Sequence, residues 1–95
     1  MALLKTMELA SGLTLNYHRV VSLNVITNVQ NTVEIASYPS RAKRDEEIAA
    51  LAAGELHNVY IETQFVAKNY KSTETIRDVY NWLKEQPGYE NAEDV

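Results

Sequence analysis

The sequence predicts an α+β fold, an antiparallel β-meander of four to five strands with a C-terminal amphipathic helix packed on one face. Residues 13–26 alternate apolar and polar side chains, which is typical of a strand with one buried face. A later segment repeats apolar residues at the i, i+3, i+4, i+7 spacing of a helix's buried stripe: Ile76, Val79, Tyr80 and Leu83. Strands and helices do not alternate along the chain, so a doubly wound parallel sheet is not expected.

Four segments carry the strand pattern, and each is bounded by turn-forming residues: 3–9, 13–26, 32–38 and 57–66. The alternation within the second segment breaks at Arg19 and Val20. A β-bulge there would explain the break, because one inserted residue moves the following side chains to the other face. Pro39 ends the third segment, since proline lacks the N–H donor that a ladder requires.

Residues 41–53 predict a possible second short helix, capped by Ser40 and ended by Gly54. Its narrow apolar stripe consists of Ile48, Leu51 and Ala52, and the acidic run of residues 45–47 is expected to form a solvated face. The rival interpretation is a long mobile loop between strands.

The last helix is predicted over residues 73–86, with Ser72 or Thr73 as its N-cap and Pro87-Gly88 as its end. Residues 1–88 would then form a single α+β domain, and residues 89–95 an exposed acidic C-terminal tail.

The composition is that of one folded domain. Of the 95 residues, 45% are hydrophobic and 23% are charged, which is too apolar for a disordered chain. This length suffices for one domain and is too short for two. The sequence contains no cysteine, so disulfides, thiolate metal sites and a cysteine nucleophile are excluded.

Charge and hydropathy argue against nucleic acid and membrane as partners. The net charge is −4, and the one basic cluster, Arg41, Lys43 and Arg44, is followed at once by three acids. Nucleic-acid backbones are instead bound by basic patches. No apolar run approaches the roughly 20 residues that span a bilayer. We therefore expect no nucleic-acid partner, no membrane partner, and folding in the cytoplasm.

The sequence offers no catalytic apparatus, and we expect no enzyme, no cofactor and no metal. His18 and His57 have no ligand-like neighbour at short spacing, and both are expected to be ordinary surface histidines. The chain has no G-x-S-x-G elbow, and three scattered glycines cannot form a phosphate-binding loop.

Aromatic residues of the C-terminal half are the candidate interface. Trp82, Tyr89 and Tyr70 carry large amphipathic rings, which bury much area while keeping a polar group. Tyr80 is assigned to the core, whereas Trp82 lies at the edge of the helical stripe and is the first choice for a subunit contact. An open sheet edge is a second route to a partner, but the sequence does not show which strand lies there.

Several segments resemble a family of small phage and prophage proteins of Gram-positive bacteria whose genes lie near tail and lysis genes. The similar segments span nearly the whole chain: 16–22, 36–38, 40–44, 80–84, 87–89 and 92–95. The alanine-rich residues 48–53 depart from the family pattern. The family contributes no catalytic residues.

The resemblance implies a phage structural or assembly protein of the tail region that acts through protein–protein contacts. Its partners would be itself, as a homo-oligomer, or other phage tail proteins. It would be located in the host cytoplasm when made, and in the virion once assembled. The alternative is a small phage-encoded regulator or adaptor that binds a host protein.

Overall fold

A computed structural model of the chain describes residues 2–55, 60 and 62–95. In chain order these residues form β1 (Leu3–Glu8), β2 (Thr14–Ile26), β3 (Gln30–Tyr38), α1 (Arg41–Ala52), β4 (Glu62–Lys68), α2 (Ile76–Leu83) and β5 (Glu93–Asp94). The strands make one five-stranded antiparallel sheet in the order β4-β3-β2-β1-β5. The predicted α+β class is confirmed, and so is the helix expected near residues 41–53.

The β2–β3 hairpin is the longest ladder of the sheet, running from the pair Tyr17–Tyr38 to the pair Ile26–Gln30. Its turn contains Asn28 at φ 60°, a left-handed conformation that asparagine tolerates better than most residues. The register shifts between Val20 and Ser22, which confirms the irregularity expected in this part of the strand. As a result, His18 and Val20 lie on one face of the sheet before the shift, and Leu23 joins that face after it.

The main core lies between this face of the sheet and α2. Its buried cluster unites α2 with the first three strands and one C-terminal tyrosine: Leu3, Val20, Val33, Ile35, Val79, Tyr80, Leu83 and Tyr89. The backbone N–H of Val20, next to the register shift, donates a 2.8 Å hydrogen bond to the Tyr80 hydroxyl. Burial and this hydrogen bond together tie α2 to β2.

Two details of α2 differ from the prediction. The helix begins after Thr75, whose hydroxyl accepts from the Asp78 N–H at 3.2 Å while the Asp78 carboxylate accepts from the Thr75 N–H at 3.2 Å. This capping box shows that neither Ser72 nor Thr73 is the N-cap. Ile76, predicted to be core, is 43% exposed because it lies in the first turn, at the end of the buried stripe.

Residues 89–95 are part of the fold rather than a loose tail. Glu93 and Asp94 form β5, which pairs with Leu4 and Leu3 of β1. Tyr89 is only 6% exposed. The acidic side chains of this segment are exposed, as expected, but its backbone completes one edge of the sheet. Sequence pattern missed this because a two-residue strand carries no readable alternation.

Within the described residues, no helix is long and apolar enough to cross a membrane.

Candidate interaction surface

The three aromatic residues predicted as an interface lie in different environments. Tyr89 is buried, with its ring edge-to-face against His18 at a centroid distance of 5.6 Å. Trp82 is half-buried against the core cluster, and the Lys68 Nζ lies 5.7 Å from the centre of its ring. Tyr70 is half-buried in the connection between β4 and α2. These rings therefore form no continuous exposed surface, and Tyr89 in particular belongs to the domain's own core.

His18 is buried, contrary to the expectation of a surface histidine; His57 lies outside the described residues. Only 1% of His18 is exposed. Its Nε2 lies 2.7 Å from the Lys5 carbonyl oxygen, which can only accept, so the proton is on Nε2. Nδ1 of the neutral ring then accepts from the Ser37 hydroxyl at 2.8 Å. Burial lowers the pKa of His18, so the neutral ring is the favoured state, with both nitrogens satisfied.

The opposite face of the sheet carries a second, polar cluster that holds α1. We call it the polar anchor: Arg19, Tyr38, Arg44 and Glu47. The Tyr38 hydroxyl donates to Glu47 Oε1 at 2.8 Å and accepts from Arg19 Nε at 3.0 Å. Arg44 of α1 forms an ion pair with the same carboxylate, and Arg19 Nη2 lies 4.0 Å from it. The two guanidinium groups neutralise a carboxylate whose side chain is only 2% exposed.

α1 is therefore attached through a different residue from those predicted. Glu47, expected on a solvated face, is the buried residue of this helix. Ile48 and Leu51, expected to form its buried stripe, are each 48% exposed. Sequence pattern could not reveal this, because the partners of Glu47 come from β2 and β3 and meet it only in the folded chain.

The sheet face that carries α1 is only partly covered. Next to α1, this face carries Tyr17, Arg19 and Tyr38. The rings of Tyr17 and Tyr38 pack edge-to-face at a centroid distance of 5.7 Å. Further along β3, Glu34 pairs with Ser22 on one side and with Phe65 of β4 on the other. Because Glu34 and Tyr38 are four residues apart on one strand, this row lies on the same face as α1. Phe65 in this row is 66% exposed.

The strand that carries Phe65 lies at an edge of the sheet. In the part of the chain that the structure describes, β4 pairs with β3 alone. The residues from Glu62 to Phe65 and Ala67 are exposed, and only Val66 and Lys68 are half-buried. An edge of this kind presents a row of backbone N–H and C=O groups that another strand can pair with.

The opposite edge is different in kind. β5 is two residues long and both are acidic, and Asp94 receives the Lys84 ammonium at 2.7 Å. Short, charged edge strands resist pairing with another chain. The long, mostly uncharged edge at β4 is thus the candidate site, together with the exposed apolar side chains on the same side of the sheet.

Features typical of a reaction centre are sparse in the described residues. They contain no group of three or more histidine, aspartate or glutamate side chains that could hold a metal ion. An open cleft of about 390 Å³ lies where β1 meets β5, lined by Leu4, Lys5, Thr6, Asn16, Asn91 and Glu93. None of these lining residues holds a buried polar atom without a partner, which would mark a built site.

Comparison of this chain with protein-family models, curated proteins and solved structures gave no match.

Proposed function

We propose that this protein is a phage structural or assembly protein of the tail region that acts through protein–protein contacts. The observation that carries the proposal is the exposed apolar surface beside an open sheet edge. Phe65 is 66% exposed at that edge, and Ile48 and Leu51 are each 48% exposed on the helix above the same face. Exposed large side chains next to the free edge of a strand are a usual feature of contact surfaces.

The architecture of α1 gives this surface its physical basis. A helix normally turns its apolar residues toward the core, whereas α1 is held by the charge and hydrogen bonds of Glu47. The polar anchor attaches α1 through Glu47, while Ile48 and Leu51 each keep 48% of their surface exposed. A partner that covers them would gain about 25 cal/mol for each Å² of apolar surface removed from water.

The resemblance to tail-region phage proteins supplies the biological setting of the proposal. Tail components work in symmetric copies, so contacts with identical copies and with other tail proteins are expected. Neither a cofactor nor catalytic chemistry is part of this proposal.

The composition of the phage particle tests it. Purified particles of the phage that encodes this chain, and its isolated tails, should contain the protein in a fixed ratio to the other tail proteins by quantitative mass spectrometry. Absence from particles, tails and assembly intermediates would contradict the proposal.

A second candidate function is favoured by the length of the β4 edge, because seven exposed or half-buried residues can accept a partner's strand. In this case the protein is a small phage-encoded adaptor for one host protein. Capture from infected cells by the wild-type chain, but not by Phe65→Lys, of a single host protein and no tail protein would support the adaptor function. Co-capture of tail proteins would support the structural one.

A further inference from the structure

We propose that β4 pairs in antiparallel fashion with β4 of a second copy of this chain, about a two-fold axis at Phe65. This inference rests on the proposed function, because it names the partner and the register of that contact surface. It starts from the composition of the edge. Between Glu62 and Lys68 the strand reads Thr-Gln-Phe-Val-Ala, without charge or proline, and its ladder with β3 has no register shift. In the described residues, the middle of this edge therefore carries none of the charges, prolines or bulges that block strand addition.

The strand is complementary to itself. Antiparallel pairing about Phe65 sets each residue opposite the one equally far on the other side. Glu62 then faces the partner's Lys68 at both ends, Thr63 faces Ala67, Gln64 faces Val66, and the two Phe65 rings meet at the centre. Opposite charges and aromatic pairs are the cross-strand pairs that stabilise a sheet, each by roughly 0.2–1 kcal/mol.

The charges select this register over its neighbours. Moving the axis to Gln64 would place Glu62 opposite Val66, and moving it to Val66 would place Glu62 opposite Tyr70. Either shift loses both ion pairs and separates the two phenyl rings. The other edge offers no such match, because β5 paired with itself would bring Glu93 and Asp94 against like charges.

Lys68 can accept the additional carboxylate. Its Nζ lies 3.0 Å from Glu74 Oε1 and 5.7 Å from the centre of the Trp82 ring, which fixes the ammonium at the end of the strand. An ammonium carries three N–H donors, so Glu62 of the partner can bind beside Glu74. α1 packs on β2 and β3, and α2 packs on the inner strands and reaches β4 through the contact of Trp82 with Lys68.

The product is one continuous sheet across two copies. A two-fold axis perpendicular to the sheet keeps each face on its own side, so both α1 helices lie above the joined sheet and both α2 helices below it. The exposed Phe65 side chains become the centre of the contact, and Ile48 and Leu51 remain available for other partners.

Cysteine cross-linking tests both the pairing and the register, because the natural chain has no cysteine. Directly opposed residues have Cα atoms about 4.5–5.5 Å apart, within the roughly 4.4–6.8 Å that a disulfide spans. Thr63 and the partner's own Thr63 would be four residues out of register, about 13 Å apart. All three positions to be changed, 63, 65 and 67, are exposed, so the fold should tolerate the substitutions.

Under mild oxidation, Phe65→Cys should form a covalent dimer by itself. Thr63→Cys and Ala67→Cys should each form no covalent dimer alone and should cross-link when mixed, with Phe65 still in place. Val29→Cys, at a turn residue that is 68% exposed, measures random collision. The paired thiols should react at least about tenfold faster than this control, because pairing raises their effective concentration.

Three results would overturn the pairing. If neither Phe65→Cys nor the mixture of Thr63→Cys with Ala67→Cys cross-links faster than Val29→Cys, while light scattering shows that the wild-type chain is an oligomer, the copies associate elsewhere and the proposed function stands. If Thr63→Cys cross-links alone as fast as the mixture does, the register is wrong. If the wild-type chain is a monomer at millimolar concentration, β4 does not pair with itself, and the composition of the particle alone then decides the proposed function.

Discussion

At the scale of single residues, His18 has a defined protonation state. The ring has almost no exposure, Nε2 donates to the Lys5 carbonyl oxygen, and Nδ1 accepts from the Ser37 hydroxyl. A second proton on Nδ1 would require this hydroxyl to turn and accept. Burial disfavours the charged ring and lowers its pKa from the ordinary value. The histidine therefore makes the domain sensitive to acid.

Because the pKa of His18 is lowered, the free energy of unfolding should depend on pH. The unfolded chain titrates its histidines near pH 6.5, while folded His18 binds its proton only at a lower pH. Between these two values the unfolded state carries more protons, so the free energy of unfolding falls as the pH drops from about 7. Once the pH is below the folded pKa, this contribution is constant.

The measurement is an NMR titration of the His18 ring in a His57→Gln background, together with denaturant unfolding between pH 8 and pH 5. A ring that titrates at or above the ordinary value of a histidine would contradict the structure. His18→Gln, if it folds, should show a flatter dependence of the unfolding free energy on pH.

The burial of His18 could not be predicted from the local sequence. The alternation in β2 predicts one buried and one wet face, which places His18 with Asn16 on the wet side. In the structure both faces of this part of β2 are covered, one by α2 and the other by α1. The covering elements are distant in sequence, so the local pattern could not distinguish the two cases.

At the scale of elements, the two helices are attached in different ways. α2 buries an apolar stripe, and the spacing correctly predicts three of its four stripe residues, Val79, Tyr80 and Leu83. α1 buries one carboxylate instead, and only its ends were predictable: Ser40 accepts from the Lys43 N–H as expected of an N-cap. Spacing reports apolar burial and does not report a buried ion pair.

The attachment of α1 gives a prediction for Glu47. Glu47→Ala removes the acceptor shared by Tyr38 and Arg44 and should destabilise the domain by about 1–3 kcal/mol, the cost of breaking a buried charged hydrogen bond. Asp45→Ala changes an exposed acid two residues away and should change stability by less than about 0.5 kcal/mol. Urea unfolding of the two variants checks this, and equal effects would mean that Glu47 does not hold the helix.

The N-terminus of α2 gives a second prediction. Thr75→Ala removes the hydroxyl that accepts from Asp78 N–H and should cost about 1 kcal/mol. Thr73→Ala alters a residue that the sequence pattern indicates as a cap, and it should be nearly neutral because Thr73 is exposed and precedes the capping box. Thermal unfolding distinguishes the two variants, and a larger loss at Thr73 would show that the helix begins earlier.

At the scale of the whole molecule, the fold class followed from the sequence and the arrangement of the sheet did not. Alternation and turn residues were enough to predict an antiparallel sheet with a helix, because those signals are local. The order of the strands, and thus the identity of the edges, depends on the pairing of β5 with β1 and of β4 with β3 across long stretches of chain. The same limit explains why the sequence placed Tyr89 in an interface. Tyr89 is buried, and the segment that follows it pairs with β1 as β5, which the local sequence does not reveal.

The central claim is that the β4 edge is the surface through which copies of this chain associate. Sedimentation equilibrium of the wild-type chain and of Phe65→Lys, from micromolar to millimolar concentration, tests it most directly. Lysine at this position would set two like charges against each other at the two-fold axis. Val29→Lys adds the same charge at an exposed turn residue and is the matched control.

The wild-type chain and Val29→Lys should form dimers as the concentration rises, whereas Phe65→Lys should associate at least about tenfold more weakly, as expected for a residue at the centre of an interface. If Phe65→Lys dimerises as readily as the wild type, or if the wild-type chain remains monomeric throughout, β4 is not a surface through which copies of this chain associate.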